Sequence, residues 1–227
     1  MDWLRTIAFS IFFYGLSVPI VLLSPVAALF GSKTMRNWCN GWAALMRWSA
    51  RTILGIDQRI EGEIPQGPVF FAAKHESLYE AVELTRLLKA PATVMKRELA
   101  NIPVWGWAAR RYGVIVIDRA ASATALRGMM KEAKAAIAEG RPVLIFAEGT
   151  RVPVGEEPEL VSGFAGLYRM IGLPVVPVAV RAGHVWPKSG PKHPGTVVFK
   201  FGEPIPPGLP RDEIEARVHK AINELNV

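Results

Sequence analysis

Cysteine is almost missing from the 227-residue sequence: Cys39 stands alone, which excludes an internal disulfide and any multi-cysteine metal site. A thiol nucleophile is formally open, but Cys39 lies in WCNGWAALM among residues that form one apolar helical face, and a small buried thiol is the plainer reading. No zinc-finger spacing, RNA-binding aromatic signature or lysine-rich run occurs, so the formal net charge of +7 is not read as a nucleic-acid footprint. Anionic lipid headgroups and phosphorylated substrates remain as the partners that such a charge attracts. Internal repeats and low-complexity tracts are also lacking.

Charge itself is absent between Thr6 and Ser32, a stretch long enough to enter or cross a hydrocarbon layer. Pro19 and Pro25 interrupt it, so a straight span and a bent or re-entrant segment both fit. A second apolar segment, Thr34 to Leu54, mixes Trp38, Trp42 and Trp48 with Arg36, Arg47 and Arg51, a composition suited to the headgroup level of a bilayer. Residues 1–55 are therefore expected to be a two-helix membrane anchor. A secretory signal peptide followed by a soluble helix is the competing reading, although no small-x-small cleavage site ends the run.

After Gly55 short apolar runs alternate with amphipathic stretches. Strands are expected at Val69 to Ala73, Ala92 to Met95, Val114 to Ile117, Val143 to Phe146, Val175 to Val180 and Thr196 to Phe201. Helices are expected at Leu78 to Lys89, Val104 to Tyr112, Ala121 to Glu139, Ala165 to Ile171 and Arg211 to Leu225. Such alternation predicts one α/β domain over residues 56–227, with a mixed, largely parallel sheet flanked by helices.

Two strand ends carry chemistry. Lys74-His75-Glu76-Ser77-Leu78-Tyr79-Glu80 places an imidazole where a strand stops and a carboxylate inside the next helix. His75 could take a proton from a substrate hydroxyl while Glu80 fixes its tautomer. A capping or surface His–Glu pair is the plainer alternative. Phe146-Ala147-Glu148-Gly149-Thr150-Arg151 ends another strand, where glycine permits close backbone approach and arginine offers a fork of donors to phosphate. An ordinary turn with a solvated arginine has the same local sequence.

Taken together and in this order, the two segments resemble the glycerolipid acyltransferases, and among them the 1-acyl-sn-glycerol-3-phosphate acyltransferases. That family carries His-x4-Asp and Phe-Pro-Glu-Gly-Thr-Arg motifs. Lys96-Arg97-Glu98-Leu99 through Pro103, Gly106 and Ile117-Asp118-Arg119 is similar to its second block, and Leu173-Pro174-Val175-Val176-Pro177-Val178 to its fourth. Three positions depart from the pattern: Glu80 replaces Asp, Ala147 replaces Pro, and Ser162 stands where many relatives have a lysine before the glycine matched by Gly163. Ala147 is expected to loosen the turn.

The resemblance implies O-acyl transfer from acyl-carrier protein or coenzyme A to the sn-2 hydroxyl of 1-acylglycerol-3-phosphate. His75 would act as general base and Glu80 as its orienting carboxylate. Lys96, Arg119 and Arg151 would neutralise the acceptor phosphate, and Gly149 and Thr150 belong to the same substrate-binding segment. Glu148 would either orient Arg151 or bond a glycerol hydroxyl. Backbone N–H groups at the start of the helix after His75 would steady the oxyanion. No metal and no resident cofactor are implied, and the family and its donors point to the cytoplasmic face of a bacterial inner membrane. Acylation of another lysolipid, such as an ornithine lipid, thioester hydrolysis, and a non-catalytic module that binds anionic lipid are the alternatives. His184 and His193 read as surface residues of a Gly, Pro and Lys rich loop. Trp105 and Trp107, flanking Gly106, read as a membrane or acyl-chain contact or as core.

Overall fold

The computed structural model describes residues 1–117 and 122–226. Arg119, expected to bind phosphate, lies outside the described residues.

Seven strands form one sheet: β1 (Ile56–Glu61), β2 (Phe70–Ala73), β3 (Ala92–Lys96), β4 (Ile115–Ile117), β5 (Val143–Phe146), β6 (Val175–Arg181) and β7 (Gly195–Phe201). Their order is β1-β7-β6-β2-β5-β3-β4, and only the β6–β7 pair is antiparallel. The central strands are buried on both faces, as continuous apolar runs such as Phe70-Phe71-Ala72-Ala73 and Val143-Leu144-Ile145-Phe146 require. The mixed, largely parallel sheet matches expectation. Strand β1 was not expected from the sequence, because Ile-Asp-Gln-Arg-Ile-Glu is an edge strand whose side chains are mostly half or fully exposed.

The helices are α1 (Asp2–Leu29), α2 (Ser32–Ser49) running into a π-helical turn at Ala50–Leu54, α3 (Leu78–Leu87), α4 (Arg97–Ala100), α5 (Trp105–Tyr112), α6 (Ser122–Ala138), α7 (Ser162–Ile171) and α8 (Arg211–Ile222). Among the described residues α1 is the one helix long and apolar enough to cross a membrane. It runs unbroken through Pro19 and Pro25. Pro25 cannot donate to the carbonyl of Val21, and the Ser24 hydroxyl takes that acceptor instead at 2.7 Å.

One face of α1 is not free. Phe9 and Phe13 are buried in the same core as Phe71, Val178, Val180 and Trp186 of the sheet side and Met46 and Ala50 of the α2 side. The α2 segment behaves differently from its headgroup-level expectation. The indole N–H of Trp38 donates to the Ile20 carbonyl at 3.0 Å and that of Trp42 to the Ser17 hydroxyl at 2.9 Å, so both rings serve α1–α2 packing. Arg36 pairs with Glu139, Arg47 bonds the Ile56 carbonyl, and Arg51 lies 3.2 Å from Asp57. Of the three tryptophans Trp48, 55 % exposed, is the one open to the surroundings, as is the Arg51 side chain. The amphipathic pattern there records docking onto the α/β layer.

The short α4–α5 connection is built around Gly106. A Cβ on it would sit 2.2 Å from the Ala100 carbonyl oxygen, inside any tolerable contact. Just before it, Val104 has φ 58° and ψ −55°, and Trp105 N–H donates back to the Pro103 carbonyl at 2.6 Å, which makes a γ-turn with a β-branched residue at its strained centre. Gly106→Ala is expected to lower stability by about 1–3 kcal/mol through overpacking. A thermal melt coincident with that of the parent would contradict it.

Candidate active site

Because β2 pairs with β5 in parallel register, Ala73 opposite Phe146, the segments that follow the two strands are neighbours. This brings together His75 and Glu148, which stand far apart in sequence. Lys96 closes β3, on the other side of β5, so its motif joins the same carboxyl edge of the sheet, where α/β proteins present their ligands.

Ser77 caps α3. Its hydroxyl accepts from Tyr79 N–H at 3.0 Å, and Glu80, at the third helical position, reaches back to complete a capping box. Glu80 Oε1 accepts from Glu76 N–H at 2.8 Å and Ser77 N–H at 2.6 Å, and Oε2 receives the Ser77 hydroxyl. The same Oε1 lies 2.8 Å from His75 Nδ1. A carboxylate that accepts on every side leaves Nδ1 to carry the proton, which leaves the lone pair on Nε2. The imidazole stacks on Phe146 with centroids 4.2 Å apart, and its side chain is 18 % exposed. Of the helix-start N–H groups expected to steady an oxyanion, those of Glu76 and Ser77 are committed to Glu80 and that of Tyr79 to Ser77.

Glu148 is wholly buried at its side chain. Oε1 is 3.1 Å from Lys74 Nζ, and Oε2 accepts from His75 N–H at 3.1 Å. Lys74, equally buried, also donates to Asn223 Oδ1 at 2.5 Å, just past α8, and to the Glu156 carbonyl at 3.0 Å. One carboxylate thus fixes the backbone of the candidate base and, through Lys74, the loop after Arg151. The Ala147 expectation is corrected here. Its N–H donates to the Ala73 carbonyl at 3.0 Å, a rung that proline could not supply, so the substitution ties β5 to β2 instead of loosening the turn. Gly149 has φ 67°, the left-handed region that suits glycine.

These groups border a cavity of about 1180 Å³. His75, Lys96, Gly149, Thr150 and Arg151 all line it, so the structure gathers the expected polar residues at one place. Glu80 and Glu148 act from behind the lining. The rest is mostly apolar: Ile20 and Val21 of α1, Met35, Trp38, Cys39 and Trp42 of α2, Leu78 and Val82 of α3, and Trp105 and Ala108 of α5. Burial pushes the Cys39 thiol up to about 11, which keeps it protonated and unreactive. Ser162 and Gly163 at the start of α7 line it as well.

The two tryptophans of α5 part company. Trp105 lines the cavity, whereas Trp107 is 37 % exposed, with the Arg111 guanidinium 5.3 Å above its ring. His184 is exposed, as expected, and desolvation together with nearby Arg181 holds its pKa below the usual histidine value. His193 is half-buried and joins the Asp2 carboxylate at 2.7 Å. Neither Lys74 nor Asn223 was recognised from the sequence as a site residue. Lys74 had the one available signal, a lysine at a strand end next to the histidine.

A histidine held by a carboxylate at an apolar cavity with cations beside it suits an enzyme that transfers acyl groups. The acyltransferase family profile matches residues 56–181, and the chain belongs to that family. It is 35 % identical over 233 residues to the 1-acyl-sn-glycerol-3-phosphate acyltransferase of Pseudomonas aeruginosa, covering 98 % of this chain and 86 % of that one. A lyso-ornithine lipid O-acyltransferase of the same organism is 29 % identical, over 77 % of this chain and 75 % of its own. The crystal structure of the 1-acyl-sn-glycerophosphate acyltransferase PlsC from Thermotoga maritima superposes with a TM-score of 0.76 at 26 % identity, over 99 % of this chain and 98 % of that one.

Proposed function

We propose that the enzyme acylates the sn-2 hydroxyl of 1-acylglycerol-3-phosphate, making phosphatidate, with His75 as general base. The observation that carries this reading is the open Nε2 of a Glu80-locked imidazole at the edge of a large apolar cavity beside Arg151. Nε2 takes the acceptor hydroxyl proton as that oxygen bonds to the thioester carbonyl carbon. The tetrahedral intermediate then expels the thiolate, which recovers the proton from His75. No acyl-enzyme is needed.

Arg151, Lys96 and Arg119 neutralise the acceptor phosphate, and the apolar lining accommodates an acyl chain supplied by acyl-carrier protein or coenzyme A. Residues 1–55 seat the catalytic domain, residues 56–227, on the cytoplasmic face of a bacterial inner membrane. The outward side of α1, with Trp3, Ile7, Ile11, Leu22 and Leu23 exposed, supports this placement.

A second acceptor class has a specific observation in its favour, the similarity to a lyso-ornithine lipid enzyme. Transfer from a labelled acyl thioester to lysophosphatidate and to lyso-ornithine lipid, measured side by side in detergent, separates the two. Product from lyso-ornithine lipid alone would remove the primary assignment.

The divided tryptophans give a further expectation. Trp107→Ala should weaken binding to anionic liposomes several-fold with little change in detergent-assayed turnover. Trp105→Ala should leave liposome binding alone and raise KM for the acyl thioester. Reversal of the two phenotypes would refute the assignment of Trp105 to the cavity and Trp107 to the lipid.

A further inference from the structure

Beyond the residues matched by the family profile, one loop reaches the cavity. Segment 182–194 follows β6 and carries Lys188, the only described residue after α7 that lines it. The loop is braced at both ends. At its root the N–H groups of Ala182 and Gly183 donate to Glu76 Oε2 at 2.7 and 2.8 Å, so it is tied to the residue next to His75. Trp186 is buried, its ring edge-on to Phe9 at 5.2 Å and tilted against Tyr79 at 5.8 Å. Farther on, Lys192 N–H donates to the Thr6 hydroxyl at 2.8 Å. Lys188 follows Pro187, between these attachments.

The charge around it is unbalanced. Arg151 and Lys188 both line the cavity, and neither makes an ion pair among the described residues. Burial, and after it the charge of Arg151, depresses the pKa of the Lys192 ammonium, which places a third cation within electrostatic reach. Among the described lining residues Glu98 is the single carboxylate. Arg151 and Lys188, with no ion-pair partner among the described residues and with Lys192 close to Arg151, favour a bound anion at this apolar cavity.

We propose that Lys188 is a substrate-binding residue that, together with Arg151, grips a phosphate group as the reactants assemble against His75. The inference rests on the acyl-transfer reading above and adds to it a residue from outside the family's motif segments. A lysine ammonium is a point charge that serves any phosphate orientation, so the phosphate has two sources: the phosphomonoester of the lysolipid, or the phosphates of the pantetheine-bearing donor.

Lys188→Gln and Lys188→Arg, made in the full chain and assayed in detergent with lysophosphatidate and acyl-coenzyme A, test this. Loss of one charge-assisted contact is expected to raise one KM by about ten- to a hundredfold with kcat changed less than about twofold, and arginine is expected to restore most of it. A rise for lysophosphatidate alone assigns the lipid phosphate, and a rise for acyl-coenzyme A alone assigns the donor phosphates. Both KM values unchanged, whatever happens to kcat, overturns the proposal. Wild type that transfers no acyl group to any lysolipid overturns the acyl-transfer reading instead. Equilibrium binding of lysophosphatidate and of coenzyme A to wild type and Lys188→Gln then decides the role of Lys188, equal affinities for both ligands being fatal to it.

Discussion

His75→Ala is expected to fold as the parent does and to lose acyl transfer by about 10²–10⁴-fold in kcat, the usual contribution of a positioned general base. The ring is partly exposed at the cavity edge, and its contacts are one face of Phe146 and the Glu80 carboxylate. Removing it takes little from the core, and Glu80 keeps its bonds to Glu76 N–H, Ser77 N–H and the Ser77 hydroxyl, so α3 stays capped. Initial rates with a labelled thioester and lysophosphatidate, alongside a circular-dichroism melt, give both readouts. A folded variant with parental turnover would remove His75 from the mechanism.

The largest loss of stability is expected from Lys74→Met. Methionine nearly preserves the volume but leaves the Glu148 carboxylate buried with only the His75 N–H to answer it. Breaking a buried pair in this way costs about 3–5 kcal/mol, or roughly 6–20 °C in melting temperature for a chain of this size. Turnover should fall as well, because the same carboxylate holds the backbone of His75, the proposed base. Adding Glu148→Leu to Lys74→Met removes the stranded charge and is expected to restore part of the stability but not the turnover. If the double variant melts lower than Lys74→Met by the full cost of Glu148→Leu alone, the two residues act independently and the pairing argument fails.

Much of the fold was legible because its signals are local. The runs Val143 to Phe146 and Val175 to Val180 read as buried strands and are β5 and β6. The segments around His75 and Arg151 stood out because each follows such a run, and parallel pairing of β2 with β5 sets them side by side. What escaped depends on partners distant in sequence. Glu148 could not be told from an orienter of Arg151 until Lys74, itself held by Asn223, appeared beside it. Trp38 and Trp42 read as headgroup anchors because nothing local says that α1 offers them a carbonyl and a hydroxyl. Edge strand β1 has only Ile56 and Ile60, with Gln58 between them, to mark an apolar side, and Lys188 belongs to a loop with no pattern at all.

The shared core of α1 and the sheet sets an order of events during synthesis. Phe9 packs edge-on against Trp186, a residue made long after it. At cellular elongation rates of about 5–20 residues per second, the wait between the two is roughly ten to thirty seconds. For that interval the side of α1 that will meet Trp186 is apolar and has only α2, and not yet the sheet, to pack on. A nascent chain arrested before β6 should therefore present that side of α1 to whatever apolar surface is nearest, and the sheet closes over a helix that has already found its place.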